Sequence, residues 1–234
     1  MVKFYKEKEI ASKYDEERFK GQGGKIIYQK EKENVLELLG DIKGKKILDL
    51  GAGTCRYSIV FAEQGAEVTA MDISQEMLDE GKRKAKKRGV EDKIEFIKGD
   101  ALNTGFEDDS FDIVTSLRLF HLIPDPKGLF EEMKRVTKDR VLFDFFNLWS
   151  LRIFYNKLLP MNSKLRRKRK MKNLLVRNGF YNIKIKRDFI IPYGLYRFSP
   201  KPLPIFFKKL DYIGSKIFPV KRTSSVIYLT GRKS

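Results

Sequence analysis

A β-α-β pattern with a glycine-bearing loop, spanning residues 46–72, constrains the fold more than any other feature of the chain. The first strand, KILDL, is followed by Gly51 and Gly53, a helical stretch, and a second apolar strand that ends at Asp72. In a right-handed β-α-β unit the carboxyl ends of both strands open on one edge of the sheet. The glycine loop and Asp72 are therefore expected to face one crevice, where Asp72 can accept hydrogen bonds from two ribose hydroxyls.

A nicotinamide dinucleotide is the obvious competing ligand for such a loop. Dinucleotide sites use G-x-G-x-x-G, in which the last glycine allows close packing of the helix on the strand. Arg56 occupies that position in this chain. Because a long cation replaces the glycine, the loop disfavours a dinucleotide.

The loop resembles the E/D-x-G-x-G-x-G signature of class I S-adenosylmethionine-dependent methyltransferases. Asp49, Gly51 and Gly53 match that signature, and Cys55 stands where the third glycine is usual. A small residue still fits the start of a helix. The departure at Cys55 therefore bears on the local backbone angle alone.

Four further segments follow in the order of that family. They are Gly99–Ala101 (GDA), Phe111–Ser116 (FDIVTS), Leu117–Asp125 (LRLFHLIPD), and Arg140–Phe146 as a fifth strand. The LRLFHLIPD segment is similar to the corresponding loop of the ubiquinone/menaquinone-biosynthesis type of methyltransferase. The combined resemblance covers residues 45–146 and is specific for the cofactor, whereas it says little about the acceptor of the methyl group.

This resemblance implies an α/β fold with a Rossmann-like, doubly wound, seven-stranded sheet, mostly parallel with an antiparallel last strand. It also implies S-adenosylmethionine as the cofactor, with an N-terminal segment that closes over it. The cofactor-binding residues that it implies are Tyr14, Asp49, Gly51, Ala52, Gly53, Asp72, Ile73, Asp100, Ala101 and Ser116.

Length and composition predict one domain over residues 1–234. Its expected parts are a helical cap (1–44), a cofactor-binding core (45–146) and a basic region on the substrate side (147–234). A chain of 234 residues can bury a stable core without disulfide or metal cross-links. Its single Cys cannot form an intramolecular disulfide. With no signal-peptide pattern and no transmembrane run, a cytoplasmic protein is expected.

The charge of the chain is strongly asymmetric. Residues 1–150 carry 27 Lys and Arg against 29 Asp and Glu, whereas residues 151–234 carry 22 Lys and Arg against only Asp188 and Asp211. Residues 164–172 (KLRRKRKMK) alone hold seven of these cations. Such a basic region predicts an anionic partner, which could be a membrane surface, a nucleic acid or an acidic small molecule.

A basic amphipathic helix is predicted within residues 192–218. Its apolar stripe, Phe206, Leu210, Ile213 and Ile217, recurs at helical spacing, and most of its charged residues lie elsewhere on the wheel. Two interpretations stay open. The stripe could pack over the acceptor pocket as a lid, which is the favoured one, or it could lie on an anionic bilayer.

Two partner classes follow for the enzyme. The first is a small or amphiphilic, lipid-like acceptor, bound at an anionic membrane surface. The alternative is RNA, in particular tRNA, docked on the basic region with its 13 Phe and Tyr after residue 150. No RNA-binding module is recognisable in the sequence, so the first is favoured.

Methyl transfer from a sulfonium requires orientation and exclusion of water, and a base only where the acceptor is a hydroxyl or an acidic carbon. His121, the sole histidine, follows the fourth strand and is the candidate base; packing is the alternative role. Asp144 and Asn147 are the only pair suggestive of metal binding. No metal is predicted, because a third ligand is lacking.

Overall fold

The structure is a computed structural model that describes residues 11–12, 15, 18–153, 163–217 and 220–234. Its strands are β1 (Lys46–Leu50), β2 (Glu67–Asp72), β3 (Ile94–Lys98), β4 (Phe111–Ser116), β5 (Thr137–Asn147), β6 (Leu165–Arg166), β7 (Phe180–Arg187) and β8 (Val226–Lys233). Its α-helices are α1 (Gly21–Leu39), α2 (Arg56–Glu63), α3 (Gln75–Lys87), α4 (Lys127–Val136), α5 (Lys168–Arg177), α6 (Tyr193–Phe198) and α7 (Leu203–Lys216). Two 3₁₀ turns cover Glu91–Lys93 and Val220–Thr223.

One sheet runs through the molecule in the order β3-β2-β1-β4-β5-β8-β7. The first five of these strands are parallel, and β8 pairs antiparallel with both β5 and β7. The predicted seven-stranded, mostly parallel sheet with an antiparallel last strand is thereby confirmed. The two-residue β6, which pairs with β5 and was not predicted, is an eighth strand within the basic run.

Helices cover both faces of the sheet, because neighbouring residues of each strand point to opposite sides. Ile47 belongs to a core shared with α1, α2, α3 and α6, whereas Leu48 belongs to a second core shared with α4 and α5. The chain order reverses between β1 and β4, which is the topological switch point of this sheet. Ligands of open α/β sheets bind in the crevice at that point.

Helix α1 begins earlier than the sequence predicts. Residues 21–24 read as a flexible joint before a helix over 26–39, yet they form the first turn of α1. The glycines serve close packing here, because a Cβ on Gly23 would lie 1.7 Å from the carbonyl oxygen of Tyr196. Most of the helix predicted over residues 4–20 lies outside the described residues.

Helix α7 forms as predicted, but its apolar face is exposed and a polar residue lies on its buried face. The four stripe residues, Phe206, Leu210, Ile213 and Ile217, are between 42% and 56% exposed. The buried side of α7 instead carries Asp211, which accepts hydrogen bonds from the backbone N–H groups of Ile190 and Ile191 at 2.8 and 3.0 Å. No α7 residue lines the cavity at the switch point within the described chain, so the lid interpretation is wrong.

Candidate active site

The glycine loop between β1 and α2 is held against the end of β2. Backbone N–H groups of Gly51 and Ala52 both donate to the carbonyl oxygen of Met71, at 2.9 and 3.0 Å. Gly51 and Gly53 have φ of 69° and 55°, in the left-handed region that glycine adopts at little cost. Cys55 also has φ of 56°, so the backbone angle of the expected third glycine is kept by a cysteine.

Asp72 is fixed at the end of β2 by the backbone. Its two carboxylate oxygens accept from the N–H groups of Gly53 and Ser74, at 2.8 and 2.9 Å. Burial raises the pKa of this carboxyl group, and backbone hydrogen bonds from Ser74, Gly53 and Ile73 act in the opposite direction. A carboxylate has about four lone-pair sites, so Asp72 can still accept a hydroxyl donor from a ligand.

A cavity of about 330 Å³ opens at the switch point, within the size range of small-molecule sites. It brings together most residues that the sequence proposes for the site. Those that line it are Gly51, Ala52, Gly53, Asp72, Ile73, Asp100, Ala101 and His121. Tyr14 lies outside the described residues, and two others, Asp49 and Ser116, do not line the cavity.

Asp49 lies behind the glycine loop rather than in the cavity. It is 2% exposed and accepts hydrogen bonds from the hydroxyls of Ser58 at 2.7 Å and Thr115 at 2.8 Å. Burial raises its pKa to about 6, although both hydroxyls and the nearby Arg56 favour the charged form. Asp49 thus ties β1 to α2 and β4, and it holds the loop in place from beneath.

Two described residues before α1, Asp15 and Arg18, line part of the cavity wall. The Asp15 carboxylate accepts hydrogen bonds from the Thr54 hydroxyl at 2.8 Å and from the Lys84 ammonium at 2.7 Å. Asp15 is therefore held against the glycine loop and α3.

A buried network of charges joins α1 to the site, and local sequence patterns give no sign of it. Glu31 of α1 is fully buried and forms ion pairs with Arg118 and with Arg56, the latter at 2.9 Å. Arg118 also pairs with Asp144 at 3.2 Å and donates its backbone N–H to the same carboxylate at 2.6 Å. The network fixes the loop that follows β4, because Arg118 is the second residue of that loop.

His121 lies in the same loop and lines the cavity. Its ring packs on Phe146 with 4.6 Å between ring centroids. Burial first, and then the positive charges of Arg18, Arg118 and Arg152, hold its pKa well below the ordinary value of 6.5. The imidazole is therefore neutral near pH 7.

The loop carrying His121 is anchored by the strand β6. The backbone N–H of Lys164 donates to the carbonyl oxygen of His121 at 2.9 Å. The guanidinium of Arg166 donates to the carbonyl oxygens of Ile123 and, at 3.1 Å, Pro124. The basic run thus anchors this loop through the backbone of Lys164 and the side chain of Arg166.

Asp144 and Asn147, the pair considered for a metal, have other partners. Asp144 pairs with Arg118, and the amide of Asn147 donates to the carbonyl oxygens of Arg222 and Ser224 at 2.8 and 2.9 Å. The described residues contain no group of three or more His, Cys, Asp and Glu side chains arranged to hold a metal ion.

Among the described residues, no helix combines the length and apolar character needed to span a bilayer.

Comparisons with known proteins agree with this geometry. Residues 48–143 match the family model described as a methyltransferase domain. A demethylmenaquinone methyltransferase of Clavibacter sepedonicus is 43% identical over 98 residues, which are 42% of this chain and 38% of that protein. Another from Geobacillus kaustophilus is 37% identical over 110 residues, 46% of this chain and 47% of the relative. The match thus spans less than half the length of either relative.

The fold has solved counterparts over nearly its whole length. Magnesium protoporphyrin IX methyltransferase from Synechocystis PCC 6803, with S-adenosylhomocysteine bound, superimposes with a TM-score of 0.67 at 19% identity, covering 97% of this chain and 99% of that one. Residues 48–143 thus resemble a methyltransferase domain, and the chain has the fold of that solved methyltransferase. Over the matched residues its sequence is similar to the demethylmenaquinone methyltransferases.

The cavity fits S-adenosylmethionine, the cofactor that the sequence resemblance implies. Asp72 presents a carboxylate at the position expected for ribose hydroxyls. A Cβ built on Gly53 would meet nothing within 4 Å, so the loop leaves open space beside its backbone. Ile73 and Leu102, both 46% exposed, supply apolar surface at the same end for the adenine ring.

Proposed function

We propose that this chain transfers the methyl group of S-adenosylmethionine to a small, quinone-like acceptor with lipid character. The observation that carries the proposal is the apolar loop after β4. Its cavity-lining side chains are Leu117, Leu119, Leu122, Ile123 and Pro124. An apolar wall beside a cofactor pocket suits an aromatic ring with a hydrocarbon substituent, and the relatives named above are demethylmenaquinone methyltransferases.

In the proposed reaction the bound cofactor supplies a methyl group on a sulfonium, a donor that is already activated. The chain's residues bind and orient the reactants: Asp72 and the glycine loop hold the nucleoside, and the loop anchored by β6 holds the acceptor. The same loop excludes water from the reacting atoms. Orientation and desolvation of this kind can supply most of the acceleration.

The test combines binding with turnover. Calorimetry on purified protein should detect binding of S-adenosylhomocysteine, and mass spectrometry should detect methylation of a reduced demethylated naphthoquinone in detergent. Asp72→Ala should weaken cofactor binding at least tenfold, because it removes a charged hydrogen-bond acceptor, whereas the exposed Asp92→Ala should not. Cofactor binding without methylation of the quinol would contradict the acceptor assignment.

We further propose that the enzyme works at an anionic membrane surface, with α7 as the contact. The stripe of α7 is exposed, and so is Phe198 at the end of α6, at 84%. Lys208, Lys209 and Lys216 are exposed on the same helix. Apolar side chains flanked by exposed lysines are complementary to a bilayer whose lipids carry negative headgroups.

Vesicle flotation and tRNA gel shift, run over the same salt series, separate the two partner classes. We expect binding to vesicles containing anionic phospholipid and weaker binding to purely zwitterionic ones. Both lipid and RNA binding weaken with salt, so the comparison rests on which partner is retained near 150 mM. Retention of tRNA alone would favour the RNA alternative and overturn the membrane proposal.

A further inference from the structure

A second exposed apolar group lies where the chain leaves β5, in the turn formed by residues 147–151. Trp149 is 69% exposed and Leu151 is 45% exposed. Trp149 is also the only tryptophan of the chain. An indole that stays largely in water forgoes the stabilisation that its burial would give, so its exposure needs a physical reason. We call residues 147–151 the Trp149 turn.

Two buried polar side chains fix the Trp149 turn through hydrogen bonds. The side-chain oxygen of Asn147 accepts the backbone N–H of Trp149 at 3.2 Å. The hydroxyl of Ser150 donates to the backbone carbonyl oxygen of Asn147 at 2.7 Å. The exposure of Trp149 is therefore set by the fold of the turn, and the indole is presented to the outside on a fixed backbone.

The Trp149 turn lies at the same edge of the sheet as the loop that carries His121. Strands β4 and β5 are parallel, so their carboxyl ends meet at that edge. Strand β6 connects the two loops. The backbone N–H of Lys164, just before β6, donates to the carbonyl oxygen of His121, and the backbone N–H of Leu148 donates to the carbonyl oxygen of Arg166 at 2.9 Å. One short strand therefore separates the Trp149 turn from the cavity wall.

Exposed cations flank the Trp149 turn. Lys164 and Arg167 lie on either side of β6, which pairs with the end of β5. On another side lies Arg222, whose backbone carbonyl oxygen accepts from the amide of Asn147 at 2.8 Å. All three cationic side chains are exposed, and among residues 163–217 and 220–234 no exposed Asp or Glu offsets them.

The Trp149 turn is also connected to α7. The 3₁₀ turn Val220–Thr223, which contains Arg222, contacts α7 and holds Asn147. The exposed stripe of α7 and the exposed indole of Trp149 therefore flank one basic turn. Tryptophan prefers the interface between water and lipid, and Lys and Arg attract anionic headgroups. An anionic bilayer is therefore complementary to both exposed groups together.

We infer that the Trp149 turn is a second membrane anchor, whose indole enters the headgroup region of an anionic bilayer beside α7. The inference rests on the proposed membrane contact of α7, and it adds a side chain that enters the lipid. Binding in this way holds the loop that carries His121 close to the bilayer. An acceptor with lipid character can then reach the cavity from the membrane without passing through water.

The emission of Trp149 reports this contact directly, because no other tryptophan is present. The full chain is mixed with vesicles of equal parts phosphatidylglycerol and phosphatidylcholine. We expect the emission to shift to shorter wavelength as the indole leaves bulk water, and quenching by acrylamide to fall. Lipids brominated at the headgroup end of their acyl chains should quench the emission more strongly than lipids brominated near the chain terminus.

Variants separate this turn from exposed aromatic residues in general. Trp149→Ala should lower partitioning onto the same vesicles in flotation about tenfold, the loss expected when roughly a third of a tryptophan surface leaves apolar surroundings. Trp149→Phe should lose less. Tyr181→Ala is the matched control, since Tyr181 is 53% exposed at the amino end of β7, at the opposite edge of the sheet. Trp149→Phe with Tyr181→Trp moves the fluorophore there, and vesicles should not change its emission.

Emission and flotation together decide between the alternatives. Unchanged emission in protein that floats with the vesicles would overturn the Trp149 turn and leave α7 as the contact. Emission changed by tRNA but not by vesicles would also overturn it and would favour the RNA alternative. Absence of flotation would overturn both membrane contacts, whereas the methylation assay in detergent needs no vesicle and tests the proposed methyl transfer separately.

Discussion

Asp49 illustrates how a residue can matter to a binding site without touching the ligand. It matches the acidic position of the family's loop signature, yet its carboxylate is turned inward to Ser58 and Thr115. A buried acid with two hydroxyl donors fixes the strand-to-loop turn. Its charge has an energetic cost that depends on pH, because burial raises its pKa from 3.8 to about 6.

The sign of that dependence follows from proton binding. Between pH 3.8 and about 6 the folded state holds a proton that the unfolded state has lost. The contribution of Asp49 to the free energy of unfolding therefore falls as pH rises through this window, by about 3 kcal/mol in total. Above about pH 6 the contribution of Asp49 to the free energy of unfolding no longer changes with pH.

Asp49→Asn should flatten this part of the stability profile. Denaturant titrations at pH 4.5 and pH 7.5 should show a smaller loss of stability in the variant than in the wild type, because the amide has no charge to bury. The exposed Asp92→Asn serves as control and should follow the wild type. Parallel profiles for Asp49→Asn and wild type would contradict the raised pKa.

At the scale of elements, one helix contact depends on a glycine that has no side chain, and another depends on a buried aspartate. Gly23 allows the first turn of α1 to approach the backbone of α6, and Asp211 anchors α7 by hydrogen bonds to residues 190 and 191. The Asp211 carboxylate also accepts from the Tyr196 hydroxyl at 2.6 Å. Helices α1, α6 and α7 are thus held by one close backbone contact and one buried acid.

Gly23→Ala should destabilise the protein by about 1–3 kcal/mol, the usual cost of overpacking. The added methyl would fall 1.7 Å from the Tyr196 carbonyl oxygen, and a backbone atom cannot move aside as a side-chain tip can. Gly128→Ala in α4 is the matched control, since its nearest neighbour would be Leu102 Cδ2 at 3.9 Å. Thermal unfolding should show a lower Tm for Gly23→Ala alone.

The membrane proposal makes a prediction for α7 itself. Neutralising Lys208, Lys209 and Lys216 to Ala should lower partitioning onto anionic vesicles about a hundredfold, because each cation near the surface contributes about 1 kcal/mol. The control replaces three exposed lysines on the other half of the molecule, Lys86, Lys87 and Lys93.

Apolar variants of α7 complete the test. Phe206→Ser with Ile213→Ser should also lose vesicle binding while keeping every charge, and circular dichroism should remain unchanged because both residues are exposed. Equal partitioning of the lysine variant and its control would argue against α7 as the contact.

For the whole molecule, local sequence patterns were sufficient where function depends on neighbouring residues in the chain. The strand-loop-helix-strand order placed Gly51, Gly53 and Asp72 at one crevice, and the structure puts all three on the cavity wall. The sheet topology followed from the family resemblance. The loop and Asp72 are encoded together within residues 46–72.

Features that depend on distant residues escaped prediction. Glu31 stands in the polar run QKEKEN, where nothing signals a fully buried acid paired with Arg56 and Arg118. Asp211 reads as part of the charged face of α7, because helical periodicity cannot say which face another helix will cover. Arg152 reads as one more cation of a basic region. Only the tertiary structure brings it onto the ring of Phe146, on which His121 also packs.

The position of β8 between β5 and β7 has a consequence for biosynthesis. Among the described strands, β7 pairs with β8 alone, and one edge of β5 stays open until β8 docks. As the nascent chain leaves the ribosome, strands β1 to β5 can assemble while β7 still waits for residues 226–233. Chaperones that shield exposed strand edges would meet this chain at that stage.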